Sequence, residues 1–149
     1  RGPAMGLVPE RRPAPAQDTA AAAVQEADPE VLPVQLDYLE EYAEGDLAFL
    51  HTLMHAFLEE NDRHCNSLID AIRNGDIPQV AFQAHALKNG ALTLKADKLS
   101  SITVQLEEMA NRKELAGAED LIAPLQAAYD NVSRFLRQYI SGHPLEEGT

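Results

Sequence analysis

Apolar positions follow two regimes along the chain. Through residues 1–34, which include GLVPERRPAPAQDTAAAAVQEADPEVLPV, they keep no period, and prolines fall at 3, 9, 13, 15, 29 and 33. A segment without a continuous apolar face cannot recover its ordering entropy by burial. It is expected to be a flexible linker, with transient helix at most around Ala20 to Ala23.

From Leu36 a helical period sets in. Leu36, Leu39 and Tyr42 have the spacing of a short helix, and Gly45 with Asp46 supplies a break and an N-cap. A long helix is predicted over 47–73, with Leu50, Leu53, Met54, Phe57, Cys65, Leu68, Ile69 and Ile72 on one broad side. Glu59, Glu60, Asp62, Arg63 and Asn66 take the other. Asn74-Gly75-Asp76 marks a turn, Asp76 caps the next helix, and Pro78 fits its first turn. The third long pattern contains AHALKNGALTLKA, residues 84–96. A fourth runs over 97–110 through Leu99, Ile102, Val104, Leu106 and Met109. After the NRKELAG connection, a last one covers 120–140 with Leu121, Leu125, Ala128, Val132, Phe135, Leu136 and Tyr139. No alternating strand pattern competes. The fold class is all-α: an antiparallel four-helix bundle with an additional short N-terminal helix, spanning 35–140. Residues 141–149, with Glu146 and Glu147, form an acidic C-terminal tail.

Composition narrows the partners. Acidic residues outnumber basic ones 24 to 12, a formal charge of −12, and no basic run interleaved with aromatics interrupts that excess. Phosphate contacts need concentrated positive surface, so nucleic acid is not an expected partner. One cysteine, Cys65, permits no internal disulfide and belongs to the packing side of its helix, which suits a reducing, cytoplasmic setting. No apolar run approaches the ~20 residues that cross a bilayer, so direct membrane contact is not expected. Because the chain opens on Arg1 rather than Met, it reads as an excised piece with RGPAMG partly an appended remnant. That leaves room for an inner-membrane anchor in the parent protein.

Candidate chemistry centres on one histidine. At roughly 100° per residue, Val80, Ala84, Leu87, Ala91, Leu94 and Lys98 share one direction of the third helix, taken as the core side. His85 then lies roughly 140° from the core, Asn89 almost opposite it, and Lys88 roughly 80° away, near enough to lend charge without burial. Phe82 precedes His85 by one turn, and Pro78, Ala81 and Leu92 extend an apolar border. Apolar groups gathered around a reactive side chain read as a docking surface. No nucleophile and orienting group stand near His85 as a triad requires. His51 and His55 offer an i,i+4 pair, HTLMH, without a third ligand or the glutamate of a zinc protease, so no metal site is expected and both read as surface or bundle-edge histidines. Phosphoryl transfer fits better. An exposed neutral imidazole can carry the group while a partner supplies metal and acceptor, with Lys88 steadying the phosphoryl oxygens.

HALKNGALTLKADKL resembles the signature of histidine-containing phosphotransfer (HPt) domains. That family has an alanine before a phosphoaccepting histidine, then any residue, leucine, lysine and small residues. Ala84, His85, Leu87, Lys88, Gly90, Ala91, Leu94, Ala96 and Leu99 fit it. LDYLEEYAEGDLAFLHTLMHAFLEEN, LIDAIRNGDIPQVAFQAHALK and LEEMA extend the similarity over 36–140. Two positions depart: Asn89 and Lys95 stand where the family has glycine, the first adding bulk and a donor beside His85, the second extending the helix or adding charge.

The resemblance implies a phosphorelay intermediate in which His85 takes a phosphoryl group from a receiver-domain aspartate and passes it to a response-regulator aspartate. It implies that Lys88 assists, that Phe82, Ala81, Asn89, Leu92 and Pro78 meet the partner, and that the piece is the C-terminal module of a bacterial hybrid sensor histidine kinase. No intrinsic cofactor is expected, magnesium being held by the partner receiver. Without an ATP-binding motif, no autonomous kinase activity is expected, and the isolated domain is expected to be a monomer. The alternative is a degenerate module that docks a receiver or other regulatory protein without transfer.

Overall fold

The computed structural model describes residues 32–145. Of the linker expected over 1–34, residues 1–31 lie outside the described residues, as do residues 146–149 of the tail expected over 141–149; Val34 is buried against the bundle, and the last helix runs on to Gly142. Five α-helices follow in order: α1 (Leu36–Tyr42), α2 (Leu47–Asn74), α3 (Ile77–Thr93), α4 (Asp97–Asn111) and α5 (Ile122–Gly142), with a 3-10 turn, Ala118–Leu121, leading into α5. No strand occurs among the described residues. Helices α2 to α5 form the four-helix bundle, their short connections making chain neighbours antiparallel.

Local chemistry sets the helix starts. Asp46 Oδ1 accepts from the Phe49 amide at 3.0 Å at the head of α2, and Asp76 Oδ1 accepts from the Gln79 amide at 3.3 Å at the head of α3. Each cap satisfies an amide that has no partner inside its helix.

The helix ends share one device. After α2, Gly75 turns left-handed at φ 67°, and the Asp76 amide reaches back to the Ala71 carbonyl at 2.9 Å. After α3, Lys95 adopts φ 55° and the Ala96 amide bonds the Ala91 carbonyl at 2.8 Å; after α4, Lys113 adopts φ 59° and Glu114 bonds Met109 at 2.9 Å. These closures satisfy carbonyls that the helix leaves open. Lys95 therefore does not extend the helix: it takes the backbone conformation in which glycine is unstrained. The expected apolar line through 84–96 breaks there, so Leu94 is buried in the turn while Lys98, expected on the core side, is exposed in the first turn of α4.

The core is aliphatic. Leu39, Met54, Leu68, Val80, Leu87, Leu94, Leu99, Leu106, Leu125, Val132 and Leu136 are all but fully buried. Each contributes about 1.5–3 kcal/mol relative to exposure. Tyr42, expected to share the inner side of α1, is 62% exposed instead. Thr103 is fully buried in the middle of α4, tolerated because its hydroxyl donates to the Leu99 and Ser100 carbonyls. Burial pushes the Cys65 thiol up to about 12, helped by the carboxylates of Asp130 and Asp62, which leaves it a packing group. His51 is a bundle-edge residue, buried, with Nε2 donating to the His143 carbonyl at 2.6 Å.

Candidate functional site

The two sides of α3 decide what the site is. Val80, Ala84, Leu87 and Ala91 are wholly buried, and the small Ala84 and Ala91 let the neighbouring helices close over that side. A second close approach occurs at Gly90, where a Cβ would stand 2.8 Å from Nδ2 of Asn61, a buried side chain of α2 that donates to the Phe57 carbonyl at 3.0 Å. Held from within, α3 turns Phe82, His85, Asn89 and Leu92 outward. Phe82 is 60% and Leu92 52% exposed, apolar groups on the face that carries His85.

His85 is more than half accessible but not free. Its Nδ1 lies 2.8 Å from Oε2 of Glu107 on α4, and Lys88 Nζ lies 2.7 Å from the other oxygen, Oε1, of the same carboxylate. One carboxylate thus ties the imidazole to the ammonium. An ionised carboxylate only accepts, so Nδ1 must carry the proton and donate it. In the neutral ring the lone pair then resides on Nε2, the nitrogen that Glu107 does not engage.

The charge state of Glu107 follows from its neighbours. Its hydrogen bond from Lys88 is the largest influence and holds the carboxyl below the usual glutamate range; partial burial opposes this, and the bond from His85 adds to it. The group stays ionised at neutral pH. His85 therefore keeps one tautomer, and a positive charge arising on the ring has a counter-ion already in place.

The surroundings of His85 differ from the sequence expectation in three respects. Lys88 is half-buried and paired, not standing alone on the surface. Ala81 is half-buried against the core and offers little docking surface, whereas Pro78 is exposed. The third difference is the orienting group that was not expected near His85: Glu107, from LEEMA, is the residue that sequence reasoning missed. A signal for it existed. His85 and Glu107 are 22 residues apart, each eleven from Ala96, the last residue of the α3–α4 turn. In an antiparallel helix pair such equidistant residues face each other. His55 is exposed, and no group of three metal-ligating side chains converges among the described residues.

Comparison with known proteins bears on this geometry. The model of the Hpt domain family matches residues 52–135. The crystal structure of histidine-containing phosphotransfer protein B (HptB) from Pseudomonas aeruginosa PAO1 is similar to this chain at 27% sequence identity, with a TM-score of 0.64, covering 73% of this chain and 92% of the other. No curated protein matches the sequence. No helix among the described residues is long and apolar enough to cross a membrane.

Proposed function

Because the chain belongs to the Hpt domain family, with a phosphotransfer role in two-component signalling, we propose that it is a phosphorelay intermediate with His85 as the phosphoacceptor. The observation that carries this reading is the Glu107 bond to Nδ1, which leaves Nε2 with the lone pair on an exposed face between Phe82 and Leu92. A receiver docks over Phe82, Asn89, Leu92 and Pro78 and presents its aspartyl phosphate. The Nε2 lone pair attacks phosphorus, the bond from phosphorus to the aspartate oxygen breaks, and the carboxylate leaves with the electron pair. The proton on Nδ1 stays on its bond to Glu107, whose negative charge offsets the charge gained by the ring. Lys88, held beside the imidazole by the same carboxylate, faces the incoming phosphoryl oxygens. Attack by the aspartate of a second receiver reverses these bond changes.

The receiver supplies magnesium in this mechanism, and this chain supplies no cofactor. We place the module at the C-terminal end of a bacterial hybrid sensor histidine kinase, in the cytoplasm and monomeric by itself, whether or not the parent is anchored in the inner membrane. The test is incubation of the chain with receivers charged by acetyl phosphate. An acid-labile, alkali-stable phosphate should appear and be absent from His85→Gln. Stable receiver binding without that phosphate would overturn the reading and favour a docking module, in which Asn89, where the family has glycine, crowds the approach to Nε2.

A further inference from the structure

Exposed aromatic rings of the described residues occupy two places. Phe82 stands beside His85, while Tyr38, Tyr42 and Phe49 make a continuous strip from α1 into the first turn of α2. Tyr38 stacks on Tyr42 with centroids 6.2 Å apart, and Tyr42 leans on Phe49 at 5.9 Å. The most exposed of the three is Tyr42, in the middle. Helix α1 meets the core through Leu39, and the strip runs along the exposed flank beside it.

The charge around these rings is of one sign. Asp37, Glu40, Glu41, Glu44 and Asp46 are all exposed, and from Gln35 to Asp62 the chain contains no Lys or Arg. The cation at the strip comes from elsewhere in the fold: Lys95, in the α3–α4 turn, places Nζ 4.8 Å from the Tyr38 centroid. A cation is attracted by the negative face of an aromatic ring, and nearby carboxylates add to the attraction. Tyr38 therefore displays within the molecule the contact that Tyr42 is placed to offer outside it.

We propose that the strip Tyr38–Tyr42–Phe49 docks a basic, arginine-bearing segment of a partner protein. A guanidinium stacks on the Tyr42 face, and the carboxylates beside it pair with flanking cations. Arginine suits the site better than lysine because its planar, weakly hydrated group stacks on a ring while still donating sideways to carboxylates. A second copy of this chain is disfavoured, since it would set the same carboxylates against each other in a molecule of charge −12. The surface uses none of His85, Lys88 and Glu107, so this inference stands apart from the phosphotransfer reading.

A short synthetic peptide alternating Arg with Ala, titrated into the full chain, tests it by NMR. The signals of Tyr38, Tyr42 and Phe49 should shift, and affinity should fall about tenfold in Y42S/F49S, as expected for losing two ring contacts at an exposed site. That variant changes no charge, and its circular dichroism reports whether the bundle stays folded. The analogous Lys peptide should bind more weakly. Equal binding by Y42S/F49S would mean only bulk attraction to an acidic protein and would overturn the proposal. So would shifts at the strip that depend on protein concentration without peptide, the mark of a second copy.

Discussion

Glu107 changes what His85 can do without touching any partner. Its carboxylate fixes the imidazole tautomer and restrains Lys88, so one substitution removes both effects. Glu107→Gln should lower the rate of phosphoryl uptake by about tenfold to a hundredfold, the scale of losing hydrogen bonds to a charged group worth about 1.5–3 kcal/mol. Receiver affinity should barely change; the check is single-turnover transfer beside binding. The same carboxylate predicts a pH effect on folding. Its acidity is strengthened in the folded state, so its contribution is present above the ordinary glutamate value of 4.5 and lost as pH falls below it. The stability gap between the native chain and Glu107→Gln, followed by urea denaturation, should therefore be full at neutral pH and close in acid. His85 was legible from the sequence because its angle from the core is a property of one helix. Glu107 was not, because its role depends on the register of two.

At the scale of the element, α3 is shaped by what it leaves out. Gly90 has no side chain where Asn61 presses from α2, and a Cβ there would overlap a buried amide already committed to Phe57. Gly90→Ala gains about 1 kcal/mol of helix propensity, but overpacking costs about 1–3 kcal/mol. The variant should be destabilised by about 1 kcal/mol on balance. In an Asn61→Ala background the overlap is gone, and the same change should become stabilising. Thermal unfolding of the four chains measures this reversal of sign. The helix spans were legible in the sequence to within a residue or two because caps such as Asp46 and Asp76 announce themselves. The end of α3 was not, because nothing in the residue type of Lys95 marks the left-handed conformation that the closure onto Ala91 imposes.

At the scale of the molecule, one aliphatic core joins all five helices of the described residues, and Leu87 lies within it directly behind the His85 face. Leu87→Ala should cost about 2–5 kcal/mol, a large share of the ~5–15 kcal/mol that holds a domain together. Loss should appear as one cooperative transition by both circular dichroism and tyrosine fluorescence, because no second core exists among the described residues to melt alone. The bundle itself was readable from apolar periodicity. Which helix edges meet was not, since a broad apolar side permits several registers, and Tyr42 shows that spacing alone does not assign a ring to the interior.

The equal distances of His85 and Glu107 from Ala96 make the α3–α4 turn a gauge for the chemistry. Adding or removing one residue between Thr93 and Asp97 would break the closure of the Ala96 amide onto the Ala91 carbonyl that sets where α4 starts, and with it the facing of carboxylate and imidazole. Residues 85–107 thus behave as a single transplantable cassette: an engineer who grafts the histidine helix onto another bundle must carry the turn and the far glutamate with it.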